Sequence, residues 1–248
     1  MKIRLTLTLL VLTLTGLACN LPLQMASPQG TPPPAASPSP ALPVPPAATA
    51  TPTLLAAQHY FFEEDFNTDL DGWSTVVTSG DVDLLDLRAA NGFLVFNIGD
   101  QNLNALSFFQ AGMYKNVWID LRVTNPGGTQ HAVNIVCRYS KMEGWYQFEI
   151  FNSGLANLYY MAWDKALKPQ PTLLAEGGSD AMPGGNTANL FSVICKDRQL
   201  SLYINGRMVI TYQENQYVLP VGQVGIGVSS FEEIPVMVEF DWMKLETP

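Results

Sequence analysis

Residues 200–212 read LSLYINGRMVITY, and this stretch predicts a β-hairpin. The even positions from 200 to 204 are apolar, which is the period of a strand with one buried face. Asn205 and Gly206 then stand between two alternating runs. A type I′ turn needs positive φ at both central residues, and Asn-Gly is the pair that best tolerates it. The stretch therefore predicts two antiparallel strands joined by a tight turn.

The same alternation recurs along the rest of the chain. Runs at 133–139, 224–228 and 236–242 alternate, and clusters rich in glycine and proline separate such runs. Residues 133, 135, 137 and 139 are expected to share one face. No amphipathic helical pattern follows residue 60, and about 190 residues suit one large sandwich. The predicted fold class is all-β, a jelly-roll β-sandwich over residues 59–248.

The N-terminus has the parts of an export signal. An uncharged run follows Lys2 and Arg4, and it is shorter than the roughly 20 apolar residues that span a bilayer. Cys19 follows that run, which resembles the lipobox of bacterial lipoproteins, although Gly16 stands where leucine is usual. The resemblance implies a signal peptide over residues 1–18, a lipid on Cys19 and a location outside the cytoplasm at the bacterial envelope. The alternative is an ordinary signal peptide with a free cysteine.

Residues 19–58 are predicted to be a disordered linker. Pro, Ala, Ser and Thr dominate this segment, and no charged residue lies between Leu5 and Phe62. A proline-rich run favours extended polyproline II, at about 3.1 Å per residue, over a packed core. The linker is therefore expected to hold the following domain away from the membrane.

The charge of the chain restricts its partners. The formal net charge is −9, and loss of Lys2 and Arg4 with the signal makes it −11. Nucleic acids and anionic lipid surfaces are bound by clustered Lys and Arg, so both are excluded as partners. Contact with the membrane is expected through the N-terminal lipid only.

Several short motifs carry a resemblance to a known superfamily. They are FEEDF at 62–66, DGW at 71–73, CRY at 137–139, GWYQF at 144–148, LSLYING at 200–206, GQVGI at 222–226 and FD at 240–241. Their order resembles the concanavalin A-like lectin and glucanase superfamily, in its laminin-G-like bacterial branch. The resemblance covers essentially all of residues 60–248 and implies a β-sandwich. The superfamily contains lectins, binding modules, glycosidases and adhesion domains, so the fold does not settle the function.

No catalytic constellation is found in the sequence. Glycosidases need two carboxyl groups at a defined separation, and the strand at 147–151 offers only Glu149. The two histidines, His59 and His131, are accompanied by neither a Gly-x-Ser-x-Gly elbow nor a zinc motif. No catalytic residue is therefore assigned. A glycoside-acting hydrolase is kept as an alternative, because a related branch of the superfamily is described as keto-glycoside hydrolase.

A structural calcium ion is a further expectation, because many domains of the superfamily carry one. Asp65, Asp69 and Asp71 lie near the first predicted strand, and Asp241 lies near the last. Carboxylates and loop carbonyls are the oxygen ligands that calcium prefers. We place the candidate site at Asp65 and Asp241. The alternative is that these are ordinary turn and edge residues, where Asp is common.

Two cysteines remain if Cys19 carries a lipid. Cys137 and Cys195 each lie in an alternating run, on the apolar side. An even pair outside the cytoplasm favours a disulfide bond between them. Two buried thiols are the alternative, since a bond requires Cα atoms within about 7 Å.

Alternation also predicts a binding face. Residues of the opposite parity to the apolar ones should point outward, and six of them have chemistry suited to sugars: Arg138, Trp145, Gln147, Tyr159, Trp163 and Tyr203. Aromatic rings stack on sugar faces, and polar side chains fix the orientation of hydroxyl groups. The leading hypothesis is a non-catalytic glycan-binding module. The alternatives are a structural or protein-adhesion domain, in which these aromatics pack under a loop at 164–186 or form cross-strand pairs.

Overall fold

The computed structural model describes residues 61–183 and 186–248. Cys19, the signal peptide, the linker and His59 lie outside the described residues. The described part consists of strands and one short 3-10 helix at Val82–Leu84. Within it, no helix is long and apolar enough to cross a membrane.

Fifteen strands follow one another along the chain. They are β1 (Glu63–Glu64), β2 (Trp73–Ser79), β3 (Leu85–Ala90), β4 (Phe93–Ile98), β5 (Asn104–Phe109), β6 (Val117–Thr124), β7 (His131–Ser140), β8 (Gly144–Phe151), β9 (Leu155–Trp163), β10 (Pro169–Gly178), β11 (Asn189–Lys196), β12 (Gln199–Ile204), β13 (Arg207–Gln213), β14 (Gln223–Ser230) and β15 (Val236–Glu246).

The strands form two antiparallel sheets. The front sheet has the order β10-β9-β8-β7-β14-β5-β2. The back sheet has the order β13-β12-β11-β6-β15-β4-β3, with β1 paired to β15. The hairpin predicted at the start is β12 and β13, and its turn residues Asn205 and Gly206 have φ of 49° and 79°. The predicted all-β jelly-roll sandwich is confirmed.

The core lies between the two sheets. Alternate residues of each strand point into it, for example Val133 and Ile135 of β7 against Leu200 and Leu202 of β12, and all four are buried. Removing apolar surface from water is the main favourable term in such a fold. The alternation read from the sequence therefore corresponds to one face buried between the sheets.

A disulfide bond joins the sheets. Cys137 of β7 and Cys195 of β11 are bonded, with their Cα atoms 6.7 Å apart. Both residues are fully buried in the core. The predicted disulfide is confirmed.

The sequence suggested a loop at 164–186. Residues 169–178 of that segment are not in a loop. They form β10, which pairs with β9 along its length and is the edge strand of the front sheet. The strand contains Pro169 and Pro171. Proline lacks the N–H needed inside a ladder, but an edge strand has one unpaired side and tolerates it.

A β-bulge alters the faces near the end of β7. The register between β7 and β8 shifts between Cys137 and Ser140, and Arg138 has φ of 56°. Tyr139 was expected on the core face with Cys137. It packs instead on the outer face of the front sheet. A bulge inserts an extra residue, so every position beyond it changes face.

Candidate functional site

The outer face of the front sheet carries a second apolar cluster, separate from the core. Its buried members are Leu106, Phe108, Val136, Tyr139, Trp145 and Met161, and Val76, Tyr159 and Trp163 pack against them. Outer faces of antiparallel sheets are normally solvated and polar. The outer face of the front sheet is therefore the part of the described surface that most needs a functional explanation.

Four aromatic rings form a continuous row on this face, which we call the aromatic row: Phe108, Tyr139, Trp145 and Trp163. Phe108 and Tyr139 stack with ring centroids 3.8 Å apart. Tyr139 and Trp145 are 5.5 Å apart, and Trp145 and Trp163 are 4.8 Å apart. Trp145 is fully buried, whereas Trp163 is only partly buried. Trp145 is thus the floor of the row, and Trp163 is the ring that reaches the surface.

Glycines in β14 make room for this packing. A Cβ added at Gly225 would lie 2.6 Å from Cδ1 of Phe108, and one added at Gly227 would lie 2.8 Å from Cδ2 of Leu106. Both distances are shorter than van der Waals contact. The absence of side chains in the middle of the sheet allows Phe108 and Leu106 to lie across β14.

A chain of hydrogen bonds runs beside the aromatic row. Trp145 Nε1 donates to Gln147 Oε1 at 3.0 Å. Gln147 Nε2 donates to Asn134 Oδ1 at 3.0 Å, and Asn134 Nδ2 donates to Ser229 Oγ at 2.8 Å. Gln147 is 3% exposed and Asn134 is fully buried. Satisfied networks of this kind rigidify a site, so Gln147 and Asn134 hold Trp145 in place.

A half-buried acid follows on the same face of β8. Glu149 is aligned with Asn157 of β9, and Asn157 Nδ2 donates to the hydroxyl oxygen of Tyr159 at 2.8 Å. Burial raises the pKa of Glu149 above its usual range, and a hydrogen bond with Asn157 offsets part of that rise. Burial also raises the pKa of Tyr159, and the negative charge of Glu149 adds to the rise. The face therefore holds a carboxyl group that burial biases toward its protonated form.

This bias gives a pH-dependent prediction for stability. The folded state raises the pKa of Glu149, so the folded state favours the protonated acid, and stability falls as pH rises through that pKa. Glu149→Gln is always neutral and should therefore melt at a higher temperature than the parent at about pH 7, with little difference near about pH 4. Thermal melts at both pH values measure this. The exposed Glu176→Gln is the control, and a lower melting temperature for Glu149→Gln at neutral pH would contradict the prediction.

A cleft opens beside the exposed end of the aromatic row. It has a volume of about 300 Å³ and is lined by Val76, Val77, Thr78, Tyr139, Lys141, Trp163 and Leu167. Trp163 Nε1 is buried and has no hydrogen-bond partner among the described residues. An unpaired buried donor costs about 1–3 kcal/mol, so such a group calls for an explanation.

Four of the six predicted binding residues lie on this face. Trp145, Gln147, Tyr159 and Trp163 all point away from the core, as alternation predicts. Trp145 and Gln147 are buried, however, and form the support of the cleft instead of its surface. Tyr159 and Trp163 are partly exposed. Of the six predicted residues, Trp163 lines this cleft, together with Tyr139 and Lys141.

The structure places Arg138 and Tyr203 elsewhere. Tyr203 lies on the outer face of the back sheet, where it pairs with Ser192 and Met208. Arg138 was expected to point outward, but it is 2% exposed and donates to three backbone carbonyls at one end of the sandwich. The bulge at this position explains the difference, because it breaks the alternation on which the expectation depended.

Three other residues of this face were not among the predicted binding residues. Asn157 has the same parity as Tyr159, so alternation could have included it. Val76 and Thr78 lie on β2, at the far edge of the sheet from β9. Their place in one cleft with Trp163 depends on the curvature of the whole sheet, which no local pattern encodes.

The candidate calcium residues do not form a ligand shell by themselves. Asp65 accepts hydrogen bonds from the backbone N–H and the side chain of Asn67. Asp241 pairs with Arg122 at 3.1 Å. The part of the chain that the structure describes contains no group of three or more His, Cys, Asp or Glu residues arranged to hold a metal ion. A calcium ion at Asp65 and Asp241 stays a prediction.

His131 is a buried residue within the fold. Its Nδ1 lies 2.9 Å from the Thr129 carbonyl oxygen, and burial lowers the pKa of the imidazole. The side chain is 2% exposed. His131 therefore begins β7 with its side chain inside the protein.

Comparison with known proteins identifies the architecture. No protein family matches the sequence, and no curated protein matches it. Among solved structures, a protein of unknown function with a galectin-like fold from Bacillus subtilis is 9% identical, with a TM-score of 0.59, and the match covers 77% of this chain and 97% of that one. The carbohydrate-binding module CBM66 from Bacillus subtilis is 13% identical, with a TM-score of 0.50 and coverage of 71% and 96%.

Glycoside hydrolases have the same architecture. A mixed-linkage glucan hydrolase of family 16 from Bacteroides ovatus, solved with a product, is 11% identical, with a TM-score of 0.55 and coverage of 75% and 99%. At these identities the likeness shows the fold alone. The described domain therefore has a galectin-like and concanavalin A-like β-sandwich fold.

Proposed function

We propose that this protein is a glycan-binding module displayed outside the cytoplasm, with the ligand bound in the cleft beside Trp163. The signal peptide would direct export, the lipid on Cys19 would hold the mature chain at the bacterial envelope, and the linker would extend the domain from the membrane. The binding would be non-catalytic. Two of the structural neighbours, a carbohydrate-binding module and a glucan hydrolase, act on carbohydrates and support this class of ligand.

The observation that carries the proposal is the surroundings of Trp163. Its ring packs on the buried Trp145 and is therefore held rigidly, while its indole N–H has no partner among the described residues. A sugar ring offers C–H groups for the aromatic face of Trp163 and hydroxyl groups for polar side chains of the lining. Lys141 and Thr78 add polar groups to the lining of the same cleft. An apolar wall with a few polar groups is typical of small-molecule sites.

A glycan-array screen of the purified protein tests the proposal. Saturable binding to defined glycans is the expected result and gives the class of sugar. If a folded sample binds no glycan on the array, the result would favour a structural or protein-adhesion domain. Repeating the screen with calcium and with a chelator tests whether Asp65 and Asp241 contribute.

Trp163→Ala should weaken glycan binding by at least about tenfold, since a central aromatic contact commonly contributes more than about 1.4 kcal/mol. Trp118→Ala is the matched control, because Trp118 is a partly exposed tryptophan, 37% exposed, on the outer face of the other sheet. Calorimetric titration with the best glycan from the array measures both. Equal glycan affinities of the two variants would show that Trp163 does not contribute to binding. Thermal melts of both variants separate lost contacts from lost folding.

Glycoside hydrolysis is the second candidate, and one observation favours it. Glu149 of β8 and Glu176 of β10 are both aligned with Asn157 of β9, which lies between them. Two strand spacings separate their backbones by about 9.5 Å. Inverting glycosidases keep their two carboxyl groups about 6.5–9.5 Å apart, a separation that flexible glutamate side chains on these two strands can reach. Release of reducing ends from a bound glycan, abolished by Glu149→Gln, would establish hydrolysis.

A further inference from the structure

A second cleft lies at one end of the sandwich, where three connecting loops meet. Its volume is about 460 Å³. Lys115 comes from the β5–β6 loop, Asp197 and Arg198 from the β11–β12 turn, and Val218, Leu219 and Pro220 from the β13–β14 loop, and Arg138 of β7 completes the lining. We call it the cationic cleft. Pockets of this size accommodate small organic molecules.

Arg138 gives this cleft a buried positive charge. Its Nε donates to the Lys115 carbonyl at 2.9 Å, its Nη1 to the Leu219 carbonyl at 3.1 Å and its Nη2 to the Asp197 carbonyl at 2.7 Å. The guanidinium carbon also lies 5.8 Å from the centroid of the Tyr146 ring. Among the described residues no carboxylate lies within ion-pair distance of Arg138. Carbonyl oxygens satisfy the donors but do not cancel the charge.

Lys115 and Arg198 add two exposed charges of the same sign. In the described part of the chain neither has an ion-pair partner, although Arg88, Arg122 and Arg207 all do. The chain as a whole is acidic, with a net charge of −9. Three unpaired cations therefore converge on one concave site of an otherwise negative protein. Clefts lined by one sign of charge focus the field and attract the opposite charge.

The cleft also has an apolar part and one acid. Val218, Leu219 and Pro220 form one wall, which suits the C–H surface of an organic ligand better than a hydrated inorganic ion. Asp197 is the acid at this site, and it is exposed. Its carboxylate would repel an anionic ligand, and this repulsion would lower the affinity of the cleft for anions.

We propose that the cationic cleft binds an anionic sugar residue, one that carries a carboxylate or a phosphate group. The charged group would lie between Lys115 and Arg198, above the guanidinium of Arg138, and the sugar ring would contact the wall at 218–220. This site is distinct from the cleft at Trp163. The two share only the bulge of β7, where Arg138 lines one cleft and the next residue, Tyr139, lines the other.

The test is a titration of the protein with glucuronate, glucose 6-phosphate and glucose, followed by backbone amide chemical shifts. We expect saturable shifts at 115–116, 197–198 and 218–222 with one or both anions and none with glucose. The anion that binds more tightly, glucuronate or glucose 6-phosphate, identifies whether the cleft prefers a carboxylate or a phosphate group. Binding should weaken as salt is added, because screening reduces attraction between charges. Equal shifts with glucose, or no shifts with either anion, would overturn the proposal.

Three variants determine which charges act. Lys115→Ala combined with Arg198→Ala should weaken anion binding by about tenfold or more, since charge-assisted hydrogen bonds are the strong ones. Asp197→Asn should strengthen it by about two- to fivefold, because it removes the opposing charge. The control removes two exposed lysines from another turn, Lys165→Ala with Lys168→Ala, and should leave affinity within about twofold. Identical affinities for the first variant and the control would overturn the proposal.

These outcomes are independent of the glycan-binding proposal. Trp163→Ala should leave anion binding at the cationic cleft unchanged. Loss of binding in the variant of Lys115 and Arg198 should leave binding of a neutral glycan unchanged. Arg138 itself is not substituted in this test, because its hydrogen bonds hold the loops that form the cleft.

Discussion

Replacing Cys137 and Cys195 together with alanine is expected to lower the free energy of unfolding by about 4 kcal/mol. The bond closes a loop of 58 residues between the two sheets. Such a cross-link removes conformations from the unfolded chain, and the chain-entropy relation gives about 4 kcal/mol for a loop of this length. The paired sulfur atoms also fill space in the core, since both residues are fully buried.

Denaturant unfolding of the parent and the double variant measures this difference. A reducing agent provides the matched control, because it should destabilise the parent toward the level of the variant and leave the variant unaffected. Coincident unfolding curves for the parent and the double variant would show that the bond contributes little.

Arg138→Met should lower the free energy of unfolding by about 3–5 kcal/mol. Methionine keeps an unbranched apolar stem but removes the donors that reach the carbonyls of Lys115, Leu219 and Asp197. Buried acceptors left without partners lose about 1–3 kcal/mol each, and part of this is recovered through water. The three loops at this end of the sandwich lose their shared anchor.

Arg122→Met is the matched control for that substitution. Arg122 pairs with Asp241 at 3.1 Å, but half of its side chain is exposed, so its loss should cost less than about 1 kcal/mol. Arg138→Lys should fall between the two, since a lysine keeps the charge but lacks the planar fork that reaches three carbonyls. Equal stabilities of the Arg138→Met and Arg122→Met variants would mean that the buried hydrogen bonds are not stabilising.

Much of the fold could be predicted from the sequence because strands carry a local signal. Period-two alternation gave β7, β8, β12 and β14, and Asn205-Gly206 gave a turn whose positive φ angles the structure confirms. The parity of Trp145, Gln147, Tyr159 and Trp163 was also correct. Which side of a strand a residue occupies depends only on its immediate neighbours in sequence, so long as no bulge intervenes.

The rest of the candidate site could not be read in this way. Parity predicts which face of the sheet a side chain occupies, but it does not predict how much of that side chain is exposed. It therefore does not show that Trp145 and Gln147 lie beneath a partly exposed Trp163. The bulge at Arg138 exchanged the faces of two adjacent residues and created the lining of two separate clefts. Tyr203 had the right parity on its own strand, but that strand belongs to the other sheet.

The sequence by itself determined the all-β class and most of the core-facing residues, because both depend on short-range period. It favoured a bond between Cys137 and Cys195, but the packing of the two sheets decided that their Cα atoms lie 6.7 Å apart. Only the tertiary structure decided which outward residues meet, since β2 and β9 are brought to one cleft by the twist of a seven-stranded sheet. Only the tertiary structure also decided that Lys115, Arg138 and Arg198 converge. They lie in three segments far apart along the chain, and long-range packing of loops is a property that no local pattern contains.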